Sequence, residues 1–199
     1  MNTTTQRGFT LFELLVTMAV VGVIFGFGVP NLLEFVRNNR MVSIANDFVA
    51  AITSARNTAV TRRAPVTLCA SPDPIAATPD CDSDASDPDS QGGFVVWVDT
   101  NADAVVDAGE DIILRQDDPG NNITVLGDAG YIHFAASGFA QTIPSEGAGA
   151  TELLFCDARG NTVSSGSLSA ARGIRISPTG RPAMLREVAE IATLGLACP

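Results

Sequence analysis

Arg7-Gly8-Phe9-Thr10-Leu11-Phe12-Glu13-Leu14-Leu15 is the stretch on which the reading of this chain turns. A short polar leader ends in Gly8, an apolar run opens at Phe9, and one carboxylate, Glu13, stands inside it. No charged residue follows from Leu14 to Leu33, a run of 20. As a helix rising about 1.5 Å per residue, that run spans roughly 30 Å, the thickness of a bilayer core. A carboxylate at its edge costs free energy, roughly 2.5–3.5 kcal/mol at the bilayer centre and less near an interface, so it calls for a partner. An ordinary secretory signal has a shorter apolar core, about 7–15 residues, with a small-residue cleavage site behind it. This run is longer, and a glutamate at its front has no use in such a signal.

The stretch resembles the class III signal of type IV pilins and pseudopilins. It has a basic residue, Gly8, Phe9, then Thr10-Leu11 and Glu13 ahead of a membrane helix, with Pro30 beyond. The resemblance implies that a prepilin peptidase cuts after Gly8 and methylates the new Phe9 amine. It implies that Glu13 pairs with that amine on a neighbouring subunit while the apolar helices bundle in a filament. It also implies a single-pass inner-membrane protein, N-terminus cytoplasmic and globular domain periplasmic. Arg7 lies before the apolar run and Arg37 and Arg40 after it, so charge alone does not orient the span.

The chain then divides into a leader at 1–8, a transmembrane assembly helix at 9–33, its amphipathic continuation at 34–64, and a β-rich domain at 65–199. Gly22 and Gly26 form a G-x-x-x-G, which lets helices approach closely in a membrane and also weakens the helix. Beyond Pro30, the residues Met41, Ala45, Phe48, Ile52, Ala55 and Ala59 recur at spacings that line one helical face, and Pro65 ends the pattern. A helix from about Phe9 to Arg63 is expected, apolar all round in its first half and one-sided in its second.

After Pro65 the period shifts to strands, expected at Val66–Ala70, Phe94–Asp99, Asp111–Gln116, Ile123–Leu126, Tyr131–Ala135, Glu152–Cys156, Gly173–Ser177 and about Met184–Val188. Ser71 to Gly93 reads as an exposed loop, and Asp118-Pro119-Gly120-Asn121-Asn122 and Ser177-Pro178-Thr179-Gly180 as turns. The fold class is α+β, a long helix packed on antiparallel sheet. The domain is most similar to the GspH/FimT family within the pilin superfamily. The residues that carry this are Val66-Thr67-Leu68-Cys69, Gly93-Phe94-Val95-Val96-Trp97-Val98-Asp99, Leu154-Phe155-Cys156-Asp157-Ala158-Arg159-Gly160 and Ile174-Arg175-Ile176-Ser177-Pro178-Thr179-Gly180-Arg181. That resemblance implies a minor subunit of a type II secretion pseudopilus or a type IV pilus, whose partners are other pilins of the same filament.

The formal charge of -10 is unevenly spread. Between Asp73 and Asp118 stand 13 acidic residues against Arg115 alone, while every one of the 12 basic residues in the chain is arginine. Cys69, Cys81, Cys156 and Cys198 show no C-x-x-C spacing and have only His133 as an imidazole companion, which speaks against zinc. In an exported domain they pair as disulfides. Three pairings are open, and joining near neighbours first favours Cys69–Cys81 with Cys156–Cys198.

Two further patterns bear on binding. Asp99, Asn101, Asp103, Asp107 and Glu110 stand at the side-chain ligand positions of a calcium loop, but Ala104 replaces the glycine of the sharp turn and strands flank it where helices belong. An acidic hairpin tip without a bound metal is the plainer expectation, so no cofactor is assigned. Some GspH/FimT relatives take up DNA through a C-terminal Gly-Arg-x-Arg, and here Gly180-Arg181-Pro182-Ala183 lacks the second arginine. Arg172, Arg175, Arg181 and Arg186 remain as a candidate phosphate-contacting patch, but no aromatic residues interleave with them and the domain is acidic. No catalytic set emerges. His133 is alone, Ser164-Ser165-Gly166-Ser167 has no lysine to activate a serine, and Trp97 fits a core.

Overall fold

The computed structural model describes residues 9–81, 93–117 and 123–199. The leader 1–8, residues 82–92 of the expected loop between Ser71 and Gly93, and the expected turn at 118–122 lie outside the described residues. Two compact units divide the chain, one ending at Arg40 and one running from Met41 to Pro199.

Helix α1 extends from Leu11 to Arg62 and contributes to both units. In the first unit nearly all of its described side chains are exposed, Phe12 and Phe27 at 73% and 74%. Proline at position 30 removes one backbone donor but does not end the helix. In the second unit Met41, Ala45, Phe48, Ile52, Ala55 and Ala59 are buried, together with Ile44 and Ala51. The helix closes where Arg63 takes a left-handed φ of 52° and the Ala64 N–H bonds the Ala59 carbonyl at 3.3 Å. Pro65 then releases the chain into strands.

Those strands are β1 (Val66–Ser71), β2 (Gly93–Val98), β3 (Ile112–Gln116), β4 (Thr124–Gly127), β5 (Tyr131–Phe134), β6 (Ala140–Gln141), β7 (Glu152–Cys156), β8 (Val163–Ser165), β9 (Leu168–Ile176) and β10 (Pro182–Glu187), followed by the short helix α2 (Val188–Ile191). They form two antiparallel sheets, β3-β2-β1-β5-β6 and β10-β9-β7-β4, with β8 paired to β9. One core joins the helix face to Val66, Leu68, Phe94, Val96, Ile132 and Phe134 of the first sheet and to Leu153, Phe155, Ile174 and Ile176 of the second. Phe48 sits between Phe94 and Phe155, with ring centroids 4.6 and 5.0 Å away.

The other face of the first sheet is also buried. Cys69, Val95, Trp97 and Tyr131 pack there under Ala104, Val106 and Ile143. Burial on both faces explains why Gly93–Val98 reads as an unbroken apolar run. Trp97 is fully buried, a core residue. Disulfides join Cys69 to Cys81 and Cys156 to Cys198. The second ties the C-terminal tail to β7, where Leu154, Ala171, Ile191 and Leu194 form a third apolar cluster.

Several elements differ from the sequence expectation. The strand expected at Gly173–Ser177 starts five residues earlier, at Leu168. Ser164-Ser165-Gly166-Ser167, read as loop, lies at a β8–β9 hairpin whose Gly166 takes φ 61°. Its polar side chains hide a strand that forms because β9 offers a partner edge, a tertiary effect. Helix α2 was not expected either; Glu187 and Glu190 form its capping box.

Candidate functional site

Thr10 and Glu13 build the start of α1. The Thr10 N–H and Oγ1 donate to Glu13 Oε2 at 2.9 and 3.0 Å, and the Glu13 N–H donates to Thr10 Oγ1 at 3.2 Å. This is a reciprocal capping box, in which a threonine and a glutamate three residues on satisfy the open N–H groups of the first turn. The Thr-x-x-Glu spacing was present in the sequence as a signal for it. Phe9 is 89% exposed, and Gly8, its partner in the expected scissile bond, lies outside the described residues. Farther along, Thr17 Oγ1 donates to the Leu14 carbonyl at 2.9 Å and Asn31 Nδ2 to the Phe27 carbonyl at 2.8 Å. Both polar side chains are thereby turned back onto the helix. Gly22 and Gly26 have open space where a side chain would stand. Among the described residues α1 is the one helix long and apolar enough to cross a membrane.

The acidic loop between β2 and β3 brings Asp99, Asn101, Asp103, Asp107 and Glu110 together, but through internal hydrogen bonds. The buried Asp99 carboxylate accepts from Thr67 Oγ1 at 2.6 Å and from the Asp103 and Ala104 N–H groups at 3.2 Å. Asn101 Nδ2 donates to Asp103 at 2.8 Å and to Asp107 at 2.9 Å. Glu110 accepts from the Thr100 and Asp107 N–H groups at 2.8 and 3.1 Å. Ala104 holds the left-handed φ of 60° that the motif gives to glycine. A calcium ion would have to displace these donors. Among the described residues no group of three or more His, Cys, Asp or Glu side chains is disposed to hold a metal ion.

Thr67 also reaches His133, its cross-strand partner on β5, with Oγ1 2.7 Å from Nδ1. Asp99, Thr67 and His133 thus form a buried polar line, with Trp97 the partner of Thr67 on the other neighbouring strand. Burial lowers the His133 pKa, and the Asp99 charge offsets this only in part. These three residues are 32 and 66 positions apart, so only strand register reveals them.

The four candidate arginines do not converge into one exposed patch. Arg175 is paired with Glu152 at 3.0 Å and donates to Thr193 Oγ1 at 3.0 Å. Arg172 is buried, while Arg181 and Arg186 are exposed. Arg159, next to the second disulfide, is held by Asp157 at 2.6 Å. A nucleic acid backbone needs several accessible cations in line, and two of these four are withdrawn or neutralised.

Comparison with known proteins adds two matches within the sequence. Residues 45–180 match the family described as type II transport protein GspH, and residues 3–29 match the prokaryotic N-terminal methylation motif. Two crystal forms of the type IV minor pilin FimU of Pseudomonas aeruginosa (strain PAO1) are similar in structure. The P21 form has TM-score 0.45 and 19% identity, covering 76% of this chain and 92% of that one. The P65 form has TM-score 0.42 and 20% identity, covering 72% and 90%. No curated protein sequence matches the chain.

Proposed function

The chain belongs to the GspH family of type II transport proteins, matched over residues 45–180, and from that premise we propose how it is processed, placed and assembled. It is a minor pseudopilin or pilin subunit, acting in secretion or pilus assembly. A prepilin peptidase cuts between Gly8 and Phe9 and methylates the Phe9 amine. The segment 9–33 anchors the subunit in the inner membrane, 34–64 continues the helix, and 65–199 lies in the periplasm, where disulfides form. Glu13 then receives the terminal amine of a neighbouring subunit as the apolar helices bundle. The subunit works by assembly and needs neither a cofactor nor a catalytic residue.

The observation that carries this reading is the N-terminus itself. The methylation motif covers residues 3–29, and the helix it introduces carries exposed apolar side chains from Leu11 to Phe27, with Glu13 in its first turn. The capping box explains why a carboxylate is tolerated before assembly, since Thr10 supplies its partners. Intact-mass analysis of the membrane-purified protein is expected to give a chain beginning at methylated Phe9. A chain that keeps Met1, or one cut near Pro30, would overturn the processing step.

A further inference from the structure

Strands β9 and β10 pair regularly from Pro182 opposite Ile176 to Leu185 opposite Gly173, and then break register. The next pair is Glu187 opposite Leu168, so Arg186 alone spans Ser169 to Arg172. Such a bulge opens a ladder and re-aims the side chain at its apex. Arg172 lies in the opened stretch. Its Nη1 donates to the carbonyls of Ser169 and Ala171, its Nε is buried without a partner, and only 7% of the residue is exposed. A buried cation with an unmet donor costs free energy unless an anion joins it.

Among the described residues, no anion does. Burial and the like charges of Arg186 and Arg159 all weaken the proton's hold on Arg172. Arg159 is committed to Asp157. Glu190, the nearest acid in sequence to Arg186 after Glu187, is taken up by the Arg186 and Glu187 backbone N–H groups at 3.2 Å each. Elsewhere the chain supplies its own carboxylates, Glu152 to Arg175 and Asp111 to Arg62. Among the described residues, no carboxylate bonds the guanidinium of Arg172 or Arg186.

We infer that Arg172 and Arg186 form a socket for a carboxylate presented by a neighbouring subunit of the filament, an inference that rests on the assembly role proposed above. A guanidinium pair offers parallel N–H donors that match a planar carboxylate. A single side chain also suits a chain of net charge -10 better than a polyanion such as DNA, which that charge repels. The bond of Arg172 to its own strand would hold the socket open, with Arg186 as the arm that closes on the incoming acid.

The test uses the full-length chain in its own membrane, with a photoreactive residue at Leu168, which is 41% exposed beside the bulge. The adduct is expected within a few residues of an Asp or Glu on a second chain that itself begins with a methylated N-terminus. Arg186→Gln and Arg172→Gln should each lower its yield at least about tenfold, and Arg186→Lys, which keeps the charge and loses the planar fork, should retain only part of it. If Arg172→Gln fails to accumulate, Arg186→Gln decides alone, because the exposed Arg186 guanidinium is bonded to none of the described residues. Lack of an adduct, an adduct on lipid or nucleic acid, or one unchanged by Arg186→Gln would overturn the socket. Incorporation of the chain without the photoreactive residue into sheared filaments separates the two readings. If it enters filaments while the socket test fails, only the socket is lost; if it never enters, the assembly role goes too.

Discussion

Thr67 serves two ionisable neighbours with one hydroxyl. It donates to Asp99 and faces His133 Nδ1, and all three side chains are out of solvent. In that setting His133 is held neutral, its pKa pulled below the ordinary 6.5 by burial against a weaker upward pull from Asp99. The unfolded chain therefore binds this proton more readily than the folded one. Its contribution to stability is complete above about pH 6.5 and is lost as pH falls through the folded value. Denaturant midpoints of the full-length protein should fall between about pH 7 and pH 5.5, and His133→Gln should flatten that slope. A wild-type profile flat across the same window would contradict the account. None of this was legible from residue types, because the network exists only once β1, β2 and β5 are in register. The N-terminal motif was legible because its residues are neighbours in sequence, and its Thr10 and Glu13 meet at the start of α1.

At the scale of elements, the two turns that meet α1 fix how the helix sits on the sheets of the second unit. Arg56 Nε donates to the Gly138 and Thr179 carbonyls at 3.1 and 3.0 Å, tying the helix to the turns after β5 and β9. Gly180 closes the second turn, its N–H bonded to the Ser177 carbonyl at 2.8 Å and its φ at 75°. An added Cβ would stand 2.6 Å from the Gly138 carbonyl oxygen and 2.9 Å from Phe134. Gly180→Ala is therefore expected to cost about 1–3 kcal/mol, read as a lower denaturant midpoint with the disulfides intact. An unchanged midpoint would mean that this junction does not fix the helix. The buried face of α1 could be read from its 3.6-residue period, and β7 from its bounded apolar run. Strand β8 could not, since Ser164 and Ser165 carry no apolar alternation and depend on β9 for their conformation. The start of β9 was missed for the same reason, because Leu168 and Ser169 gain their partners only across the hairpin.

At the scale of the whole molecule, charge and apolar surface are segregated along the chain. The stretch from Asp73 to Asp118 holds 13 of the 22 acidic residues, whereas 20 consecutive residues after Glu13 carry none. Repulsion among exposed acids keeps a domain soluble, and an exposed apolar helix seeks lipid or other helices. Glu13 is where these tendencies meet, because it is a charge at the mouth of the apolar segment. If it served only to cap α1, Glu13→Val would insert in the membrane as well as wild type or better, having lost a costly carboxylate. If it receives a neighbour's Phe9 amine, the substitution leaves that cation unpaired among apolar helices, and removing one partner of a buried pair costs roughly 3–5 kcal/mol. The most direct measurement is incorporation of the full-length Glu13→Val chain into sheared filaments, normalised to its abundance in the membrane. Abundance and processing are expected to be normal and incorporation lost; normal incorporation at normal abundance would mean that Glu13 does not receive a neighbour's amine.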